Sequence, residues 1–371
     1  GGFLKKIPPV ELALTPSREI LREKKISPDI VDQVIMANVI PSTNDTLYGG
    51  RHLALKLGMP VLTPGIVLNR LCGSGIEAVW QAKRLIQLGE AQSVLVAGAE
   101  NMSLAPHLIY GGRFGTRYGA LDTVDMLYDT LTDSYCQTSM GMTAENLAKN
   151  YKISRDSSDL FSFNSHKKAA HAWNQGLMKE EVVSVKGQKG ELACDEHLRF
   201  DVSVEQLKKL APTFKKDGVV TAGSASGVVD GAAAVLIASE EFCKKNGLSV
   251  LSEIMEAHVV GVEPVIMGIG AASAIKGLLK STGKTLKQID LLDINEAFAA
   301  QTLACISELQ LDQEKLNIWG GAVAVGHPLA ATGIRQILSA SRQLKHRKKH
   351  SAIVSACIGG GQGIAMLLHS C

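Results

Sequence analysis

The sequence lacks the features that mark several large protein classes. No apolar run is long enough to span a bilayer, and no secretory signal is visible. The formal net charge is only +3, so no electrostatic footprint for nucleic acid follows from it. The chain begins with Gly-Gly rather than Met, so we expect a processed or trimmed amino terminus from which a targeting segment could have been lost.

The cysteine pattern excludes two further kinds of protein. There are seven cysteines, an odd number, and none of them forms a CxxC pair. A disulfide framework and a zinc site are therefore not expected, and a reducing compartment is favoured. The chain is 46% hydrophobic and 20% charged over 371 residues, which predicts a globular protein with an ample core and two or three domains.

The first feature that points to chemistry is the stretch NRLCGSG, Asn69 to Gly75. An apolar segment precedes it, and apolar residues at helical spacing follow it, so Cys72 is predicted to lie at a strand-to-helix junction. Unpaired backbone N–H groups and the positive end of a helix dipole favour a thiolate at such a place. A buried structural cysteine is the alternative for a cysteine taken alone.

Hydrophobic periodicity predicts the elements around this junction. Helices are expected over residues 10–24, 50–58 and 76–90, and strands over residues 64–68 and 93–103. The same order of elements returns near the end of the chain. Three anchors share one offset of 258 residues (333 − 75 = 258), at the pairs Val31 and Ile289, Gly75 and Gly333, and Ser93 and Ser351.

This repeated order predicts two related α/β halves, each a sheet with helices on its faces. LNRLCGSGI lies over GHPLAATGI without a gap, so Cys72 and His327 belong to equivalent loops and a pseudo-twofold axis would bring them to one site. Chance similarity among short apolar strands is the alternative. The long polar segment between the halves is interpreted as an insertion that shapes a substrate site.

Four stretches could together carry chemistry, and each is expected at the end of a strand, where ligands usually bind in α/β sheets. They supply thiols, an amide, a carboxylate and an imidazole, from NRLCGSG, DINEAF (Asp293 to Phe298), GHPLAATG (Gly326 to Gly333) and CIGGGQG (Cys357 to Gly363). Taken alone, His327 could be a turn residue, and Asn295 and Glu296 could cap a helix. CIGGGQG lacks the pattern of a phosphate loop and is predicted to be a β-hairpin turn.

Together these motifs resemble the thiolase family along nearly the whole chain, with the nearest likeness to mitochondrial-type 3-ketoacyl-CoA thiolases. The similarity is carried by NRLCGSG, MTAENLA, NEAFA, GGAVAVGHPLA and SACIGGGQG, in the order in which the family has them. It implies a five-layered α-β-α-β-α fold of two duplicated halves with an inserted loop domain. The expected boundaries are 1–103 for the first half, completed by about 226–250, 104–225 for the insertion that binds coenzyme A, and 251–371 for the second half.

The resemblance also implies the roles of the reacting groups. Cys72 would attack a carbonyl and become acylated, and His327 would take its proton. Cys357 would be the acid or base at the acetyl-CoA carbanion. Asn295, through a held water, and His327 would stabilise the enolate oxygen, and the backbone N–H groups of Cys72 and Gly359 would form a second oxyanion hole.

Five further residues match positions where the family contacts its substrates. Met140 and Phe298 would line the acyl or pantetheine channel. Ser226, Phe214 and Arg199 would contact coenzyme A, with the Arg199 guanidinium facing a phosphate. Coenzyme A is implied as a co-substrate, with no tightly bound cofactor and no metal.

The chain also departs from the family pattern. The family begins with a strand that carries an Arg-Thr-Pro pattern, and this sequence starts after it, so an edge of the first sheet is expected to lack a strand. Trp319 replaces an asparagine and is expected to crowd the site or a subunit contact. Ala330 and Thr332 replace a glycine and a serine, and Ser139 precedes Met140 where other members differ.

The implied activity is CoA-dependent cleavage of 3-ketoacyl-CoA, in fatty-acid β-oxidation, to acetyl-CoA and a shortened acyl-CoA. The alternatives are the biosynthetic direction, which makes acetoacetyl-CoA, a carrier-protein-dependent condensing enzyme, and a non-catalytic protein that binds coenzyme A. Asn295 stands where the condensing enzymes have a second histidine, which disfavours them. A homodimer or homotetramer in the mitochondrial matrix is implied, with the peroxisome and cytosol as alternatives, and neither nucleic acid nor a membrane span is expected.

Overall fold

A computed structural model describes residues 1–187 and 190–371 of the chain. Its helices are α1 (Pro9–Glu23), α2 (Gly49–Lys56), α3 (Ser74–Gln87), α4 (Met126–Thr130), α5 (Met140–Asn150), α6 (Arg155–Asn174), α7 (Val204–Lys208), α8 (Glu240–Lys245), α9 (Gly270–Thr282), α10 (Ala299–Leu309), α11 (Ala322–Val325) and α12 (Leu329–Arg347). Its strands are β1 (Gln33–Ala37), β2 (Gly65–Leu68), β3 (Ser93–Glu100), β4 (His107–Leu108), β5 (Val124–Asp125), β6 (Thr132–Asp133), β7 (Thr138–Ser139), β8 (Val185–Gly187), β9 (Gly190–Leu192), β10 (Gly231–Ala238), β11 (Ser252–Gly261), β12 (Leu291–Ile294), β13 (Ser351–Ile358) and β14 (Gln362–Ser370).

Two four-stranded sheets and three layers of helices make up the core. Helices α1 and α2 cover the outer face of the first sheet, α3 and α12 lie between the sheets, and α9 covers the outer face of the second. The central helices contact strands of both sheets, so apolar side chains are buried on both of their faces. The prediction of five α-β-α-β-α layers is confirmed.

The two sheets repeat one topology. The first has the order β10-β3-β1-β2, and the second has β11-β14-β13-β12. In each, a parallel pair (β1 with β3, β12 with β13) is followed by an antiparallel strand, β10 or β14. Strand β3 shifted by 258 residues covers Ser351 to Ile358, which are the bounds of β13. The predicted duplication is therefore present in the fold.

The central helices cross at the two glycines that anchor the sequence alignment. A β-carbon on Gly75 would lie 2.7 Å from the Ile334 nitrogen and 2.9 Å from that of Gly333. A β-carbon on Gly333 would likewise meet the backbone of Ile76 and Gly75. Only glycine allows this approach of α3 to α12, and the crossing brings the loops that precede the two helices together.

The halves differ at one edge. Strand β14 pairs with β13 on one side and with β11 on the other, whereas β10 pairs only with β3 among the described strands. A cavity of about 1280 Å³ runs along β10, and Cys72 is not among its lining residues. In the described part of the chain, the β10 edge of the first sheet is therefore unpaired, as the sequence predicts.

Most of the remaining elements lie in sequence between β3 and β10 of the first sheet. Helices α5 and α6 pack on α10, and the short strands β4 to β9 form three small hairpins. Strand β10, after this segment, returns to the first sheet. The division at residues 103, 225 and 251 remains our proposal. In the described part of the chain, no helix combines the length and apolarity that a membrane crossing requires.

Candidate active site

The sequence NRLCGSG forms a tight turn between β2 and α3. The Asn69 side chain accepts a hydrogen bond from the Leu71 N–H at 2.8 Å, and the Ser74 hydroxyl donates to the Leu71 carbonyl at 2.6 Å. Leu71 has a φ of +46°, a left-handed conformation that costs a non-glycine residue about 1–3 kcal/mol. The turn places Cys72 ahead of the first turn of α3, as the sequence predicts, and the residue as a whole is half-buried there.

The pKa of the Cys72 thiol is nevertheless raised, to about 11. Burial is the main cause, and it outweighs hydrogen bonds from the backbone N–H groups of Gly359 and of Cys72 itself. The expectation that the helix terminus favours a thiolate is therefore wrong for the free protein. Cys72 needs a base to become a nucleophile.

His327 and Asn295 form a buried pair beside the central helices. The Asn295 Nδ2 and His327 Nε2 atoms are 3.3 Å apart, and the backbone N–H of His327 donates to the Gly227 carbonyl at 3.2 Å. Burial, reinforced by the Arg335 charge, lowers the pKa of His327 to about 4, so the imidazole is neutral at pH 7. The Asn295 Oδ1 atom is buried and has no hydrogen-bond partner among the described residues. A neutral imidazole can accept a proton. An amide oxygen without a protein partner can accept a hydrogen bond from a bound water.

Cys357 and Gly359 approach the same place from the end of β13. Cys357 is 1% exposed, and burial raises the pKa of its thiol well above the usual value, with the Cys72 thiol adding to the shift. Gly359 begins the turn into β14, which confirms the predicted hairpin. The backbone N–H groups of Gly359 and Cys72 both stabilise the charged form of the Cys72 sulfur, and their use as an oxyanion hole stays a prediction.

Apolar side chains from the insertion and from NEAF lie next to this cluster. A β-carbon on Gly359 would be 3.3 Å from Leu71 Cδ1 and 3.4 Å from Met140 Sδ, so Met140 is at the site. Phe298 packs edge-on against Phe214, with ring centroids 6.1 Å apart. Phe214 is 38% exposed and is available to a ligand.

The other two predicted ligand contacts lie on loops near the cluster. The Ser226 N–H donates to the Ala297 carbonyl at 3.0 Å, which places Ser226 beside the NEAF stretch. Arg199 is exposed, and its N–H donates to His166 Nδ1 at 3.2 Å. Contact of either residue with coenzyme A stays a prediction.

Trp319 does not lie where its size suggested. Its ring is 5% exposed, packs in a cluster with Ala172 and Met178, and meets His346 edge-on. This cluster takes up the indole, and the expected crowding of the reacting groups is absent from the described contacts. The nearby Asn317 side chain binds Ile294 backbone atoms at 2.9 Å, and so braces the strand that leads to Asn295.

The motifs in the sequence do not point to two further candidate functional residues, Glu100 and Thr332. Glu100, at the end of β3, is fully buried and accepts hydrogen bonds from the N–H groups of Val39, Ile40 and Ala330. Burial raises the pKa of this carboxyl to about 7. Thr332, noted only as a departure, lies 2.6 Å from the ring of His327. A glutamate that interrupts a buried apolar strand was the available signal for the first.

Comparisons with known proteins identify the family. Residues 1–241 match the family model "Thiolase, N-terminal domain", and residues 248–370 match "Thiolase, C-terminal domain". The chain belongs to the thiolase family. It is 45% identical over 375 residues to human mitochondrial 3-ketoacyl-CoA thiolase, across 100% of this chain and 94% of that protein. It is 42% identical to an acetyl-CoA acetyltransferase of Chromobacterium violaceum, across 99% and 95%.

Solved structures resemble this thiolase equally well. The crystal structure of human mitochondrial 3-ketoacyl-CoA thiolase in complex with CoA superposes with a TM-score of 0.97 at 44% identity, covering 100% of this chain and 94% of that one. The Bacillus anthracis acetyl-CoA acetyltransferase gives 0.95 at 40% identity, covering 100% and 95%. The thiolase fold predicted from the motifs is confirmed.

Proposed function

We propose that this thiolase is an acetyl-CoA acyltransferase that cleaves 3-ketoacyl-CoA with coenzyme A, giving acetyl-CoA and a shortened acyl-CoA. The observation that carries the proposal is the convergence of two thiols, a neutral imidazole and two backbone N–H donors at the crossing of α3 and α12. The mitochondrial relatives named 3-ketoacyl-CoA thiolase support the substrate class.

The first half-reaction forms an acyl-enzyme. His327 takes the proton of Cys72, and the sulfur attacks the 3-keto carbonyl. The N–H groups of Cys72 and Gly359 stabilise the resulting oxyanion. The C2–C3 bond then breaks, and Cys357 gives its proton to the departing acetyl-CoA carbanion. The raised pKa of Cys357 suits this role, because the thiol holds its proton until a strong base appears.

The second half-reaction returns the enzyme to its starting state. Cys357, now a thiolate, takes the proton of coenzyme A, and the CoA sulfur attacks the acyl thioester on Cys72. The Cys72 sulfur leaves and recovers its proton from His327. Asn295, with its unpartnered Oδ1, holds the water that stabilises the enolate oxygen during carbon–carbon bond cleavage.

The biosynthetic direction is the second candidate, because relatives named acetyl-CoA acetyltransferase are nearly as similar. A CoA-dependent assay with 3-ketoacyl-CoA of increasing chain length, run beside condensation of acetyl-CoA, separates the two. We expect the cleavage of longer 3-ketoacyl-CoA to have the higher kcat/KM. Preference for acetoacetyl-CoA alone would favour the biosynthetic reading, and turnover only with an acyl-carrier protein would contradict both. Binding of CoA without turnover would favour a non-catalytic role.

The cellular setting is proposed from the same relatives. We place this thiolase in the mitochondrial matrix, with the peroxisome and cytosol as alternatives, as a homodimer or homotetramer. Light scattering of the purified protein and imaging of the tagged protein in cells test the two statements separately. A monomer, or exclusion from mitochondria, would contradict them.

A further inference from the structure

The duplication allows a direct comparison of the hydroxyl groups that begin the two central helices. Ser74 and Thr332 are equivalent under the 258-residue offset. The Ser74 hydroxyl donates to the Leu71 carbonyl and accepts the Arg70 N–H at 2.8 Å, so both its donor and an acceptor position are used by the backbone. The Thr332 hydroxyl likewise lies within donating distance, 3.0 Å, of the Pro328 carbonyl.

The group that donates a hydrogen bond to the hydroxyl oxygen differs between Ser74 and Thr332, because of one residue. The position equivalent to Arg70 is Pro328, and proline has no backbone N–H. The acceptor lone pair that Ser74 gives to Arg70 is therefore left free on Thr332. His327 occupies it, because its Nδ1 atom lies 2.6 Å from Thr332 Oγ1, and both side chains are buried.

With the Asn295 Nδ2 atom facing His327 Nε2, the hydrogen-bond network is consistent with a proton on His327 Nδ1. The threonine hydroxyl has one proton. If that proton goes to the Pro328 carbonyl, His327 Nδ1 must carry a proton and donate it to Thr332. The Nε2 atom then carries a lone pair, which can accept a hydrogen bond from Asn295 Nδ2, 3.3 Å away. The opposite tautomer would set two donors, Nε2–H and the Asn295 amide, against each other.

We propose that Thr332 is a positioning residue that holds His327 in the Nδ1–H tautomer and so keeps the proton off Nε2, the atom that acts as the base, and that Pro328 permits this by lacking the N–H that would compete for the Thr332 hydroxyl. The inference rests on the proposed function only in naming His327 as the base. The tautomer itself is a property of the resting protein and is measured without any substrate.

The decisive experiment is long-range 1H–15N correlation on the full chain labelled with 15N-histidine, with His327 assigned from the signal lost in His327→Gln. We expect the Nδ1–H pattern in the wild type and in Thr332→Ser, which keeps the hydroxyl. In Thr332→Val, which keeps the shape without the hydroxyl, we expect the Nε2–H form to gain population. A wild-type Nε2–H pattern, or an unchanged Nδ1–H pattern in a folded Thr332→Val, would overturn the proposal.

Kinetics provide the second readout. We expect Thr332→Val to slow acylation of Cys72 by about 10- to 100-fold, the range found when the hydrogen-bond partner that orients a metal-binding histidine is removed. Thr332→Ser should restore the rate, and Pro328→Ala should fall between the two. Loss of the Nδ1–H form in Thr332→Val with no loss of rate would contradict the positioning role. Failure of the wild type to acylate would refute the proposed function, and the tautomer measurement would still decide this inference.

Discussion

The crossing of α3 and α12 at Gly75 and Gly333 is sensitive to any added side-chain atom, because backbone atoms of the two helices are in direct contact there. In Gly75→Ala the new β-carbon would sit 2.7 Å from the Ile334 nitrogen, 2.9 Å from the Gly333 nitrogen and 3.0 Å from the Ala330 carbonyl oxygen. No side chain can rotate away, so the helices must separate by several tenths of an ångström. Overpacking of this kind lowers the free energy of unfolding by about 1–3 kcal/mol.

The same separation moves Cys72 away from His327, since each residue lies two positions before the start of one of the two helices. A displacement approaching 1 Å costs up to about 100-fold in rate. We therefore expect Gly75→Ala to lose both stability and kcat. Because Gly333→Ala forces the same separation, the double variant should lose less than the sum of the two single variants.

Chemical denaturation and the rate of Cys72 acylation measure the two effects. Gly261→Ala is the matched control, because the nearest atom to its β-carbon would be 3.9 Å away. Gly75→Ala with wild-type stability and rate would show that the helices do not meet as described. A loss of stability alone would show that the crossing does not align the reacting groups.

Three further outcomes follow from the site. In Cys357→Ala, transfer of an acyl group from acyl-CoA to Cys72 should survive while cleavage of the 3-keto substrate is lost, as separate acylation and thiolysis assays would show; retained thiolysis would contradict the acid role. Burial raises the pKa of the Glu100 carboxyl from 4.5 to about 7, so the folded state favours the protonated form. As the pH rises from 4.5 to above 7, the free energy of unfolding of the wild type should therefore fall by up to about 3 kcal/mol. Glu100→Gln, which has no carboxyl to ionise at this position, should not show this loss. Parallel pH profiles of the two proteins would argue against this. Phe214→Ala should raise KM for coenzyme A with kcat little changed, and an unchanged KM would remove Phe214 from the ligand surface.

The sequence predicts the placement of the reacting groups well, because their placement depends on the repeated order of elements. Gly75 and Gly333, aligned by offset alone, meet in the fold, and Cys72 and His327 follow from them. The hairpin after Cys357 was predictable because Gly360 and Gly361 adopt positive φ values that glycine permits.

What the sequence could not supply is the environment of each group. The expected thiolate at Cys72 neglects burial, which depends on residues distant in sequence. The size of Trp319 does not reveal its packing partners Ala172 and Met178, which lie about 140 residues earlier in the chain. The roles of Thr332 and Glu100 depend on contacts with His327 and Ala330 that only the assembled halves provide.

The acyl-cysteine mechanism is tested most directly by measuring the mass of the intact protein after brief incubation with acetoacetyl-CoA or a long-chain 3-ketoacyl-CoA. Peptide mapping then locates any adduct, and addition of free coenzyme A tests whether it is removed. We expect an acyl group on Cys72 that coenzyme A removes, and no adduct in Cys72→Ser. A folded protein that acquires no adduct from either substrate, or that is acylated at another residue, would contradict the mechanism.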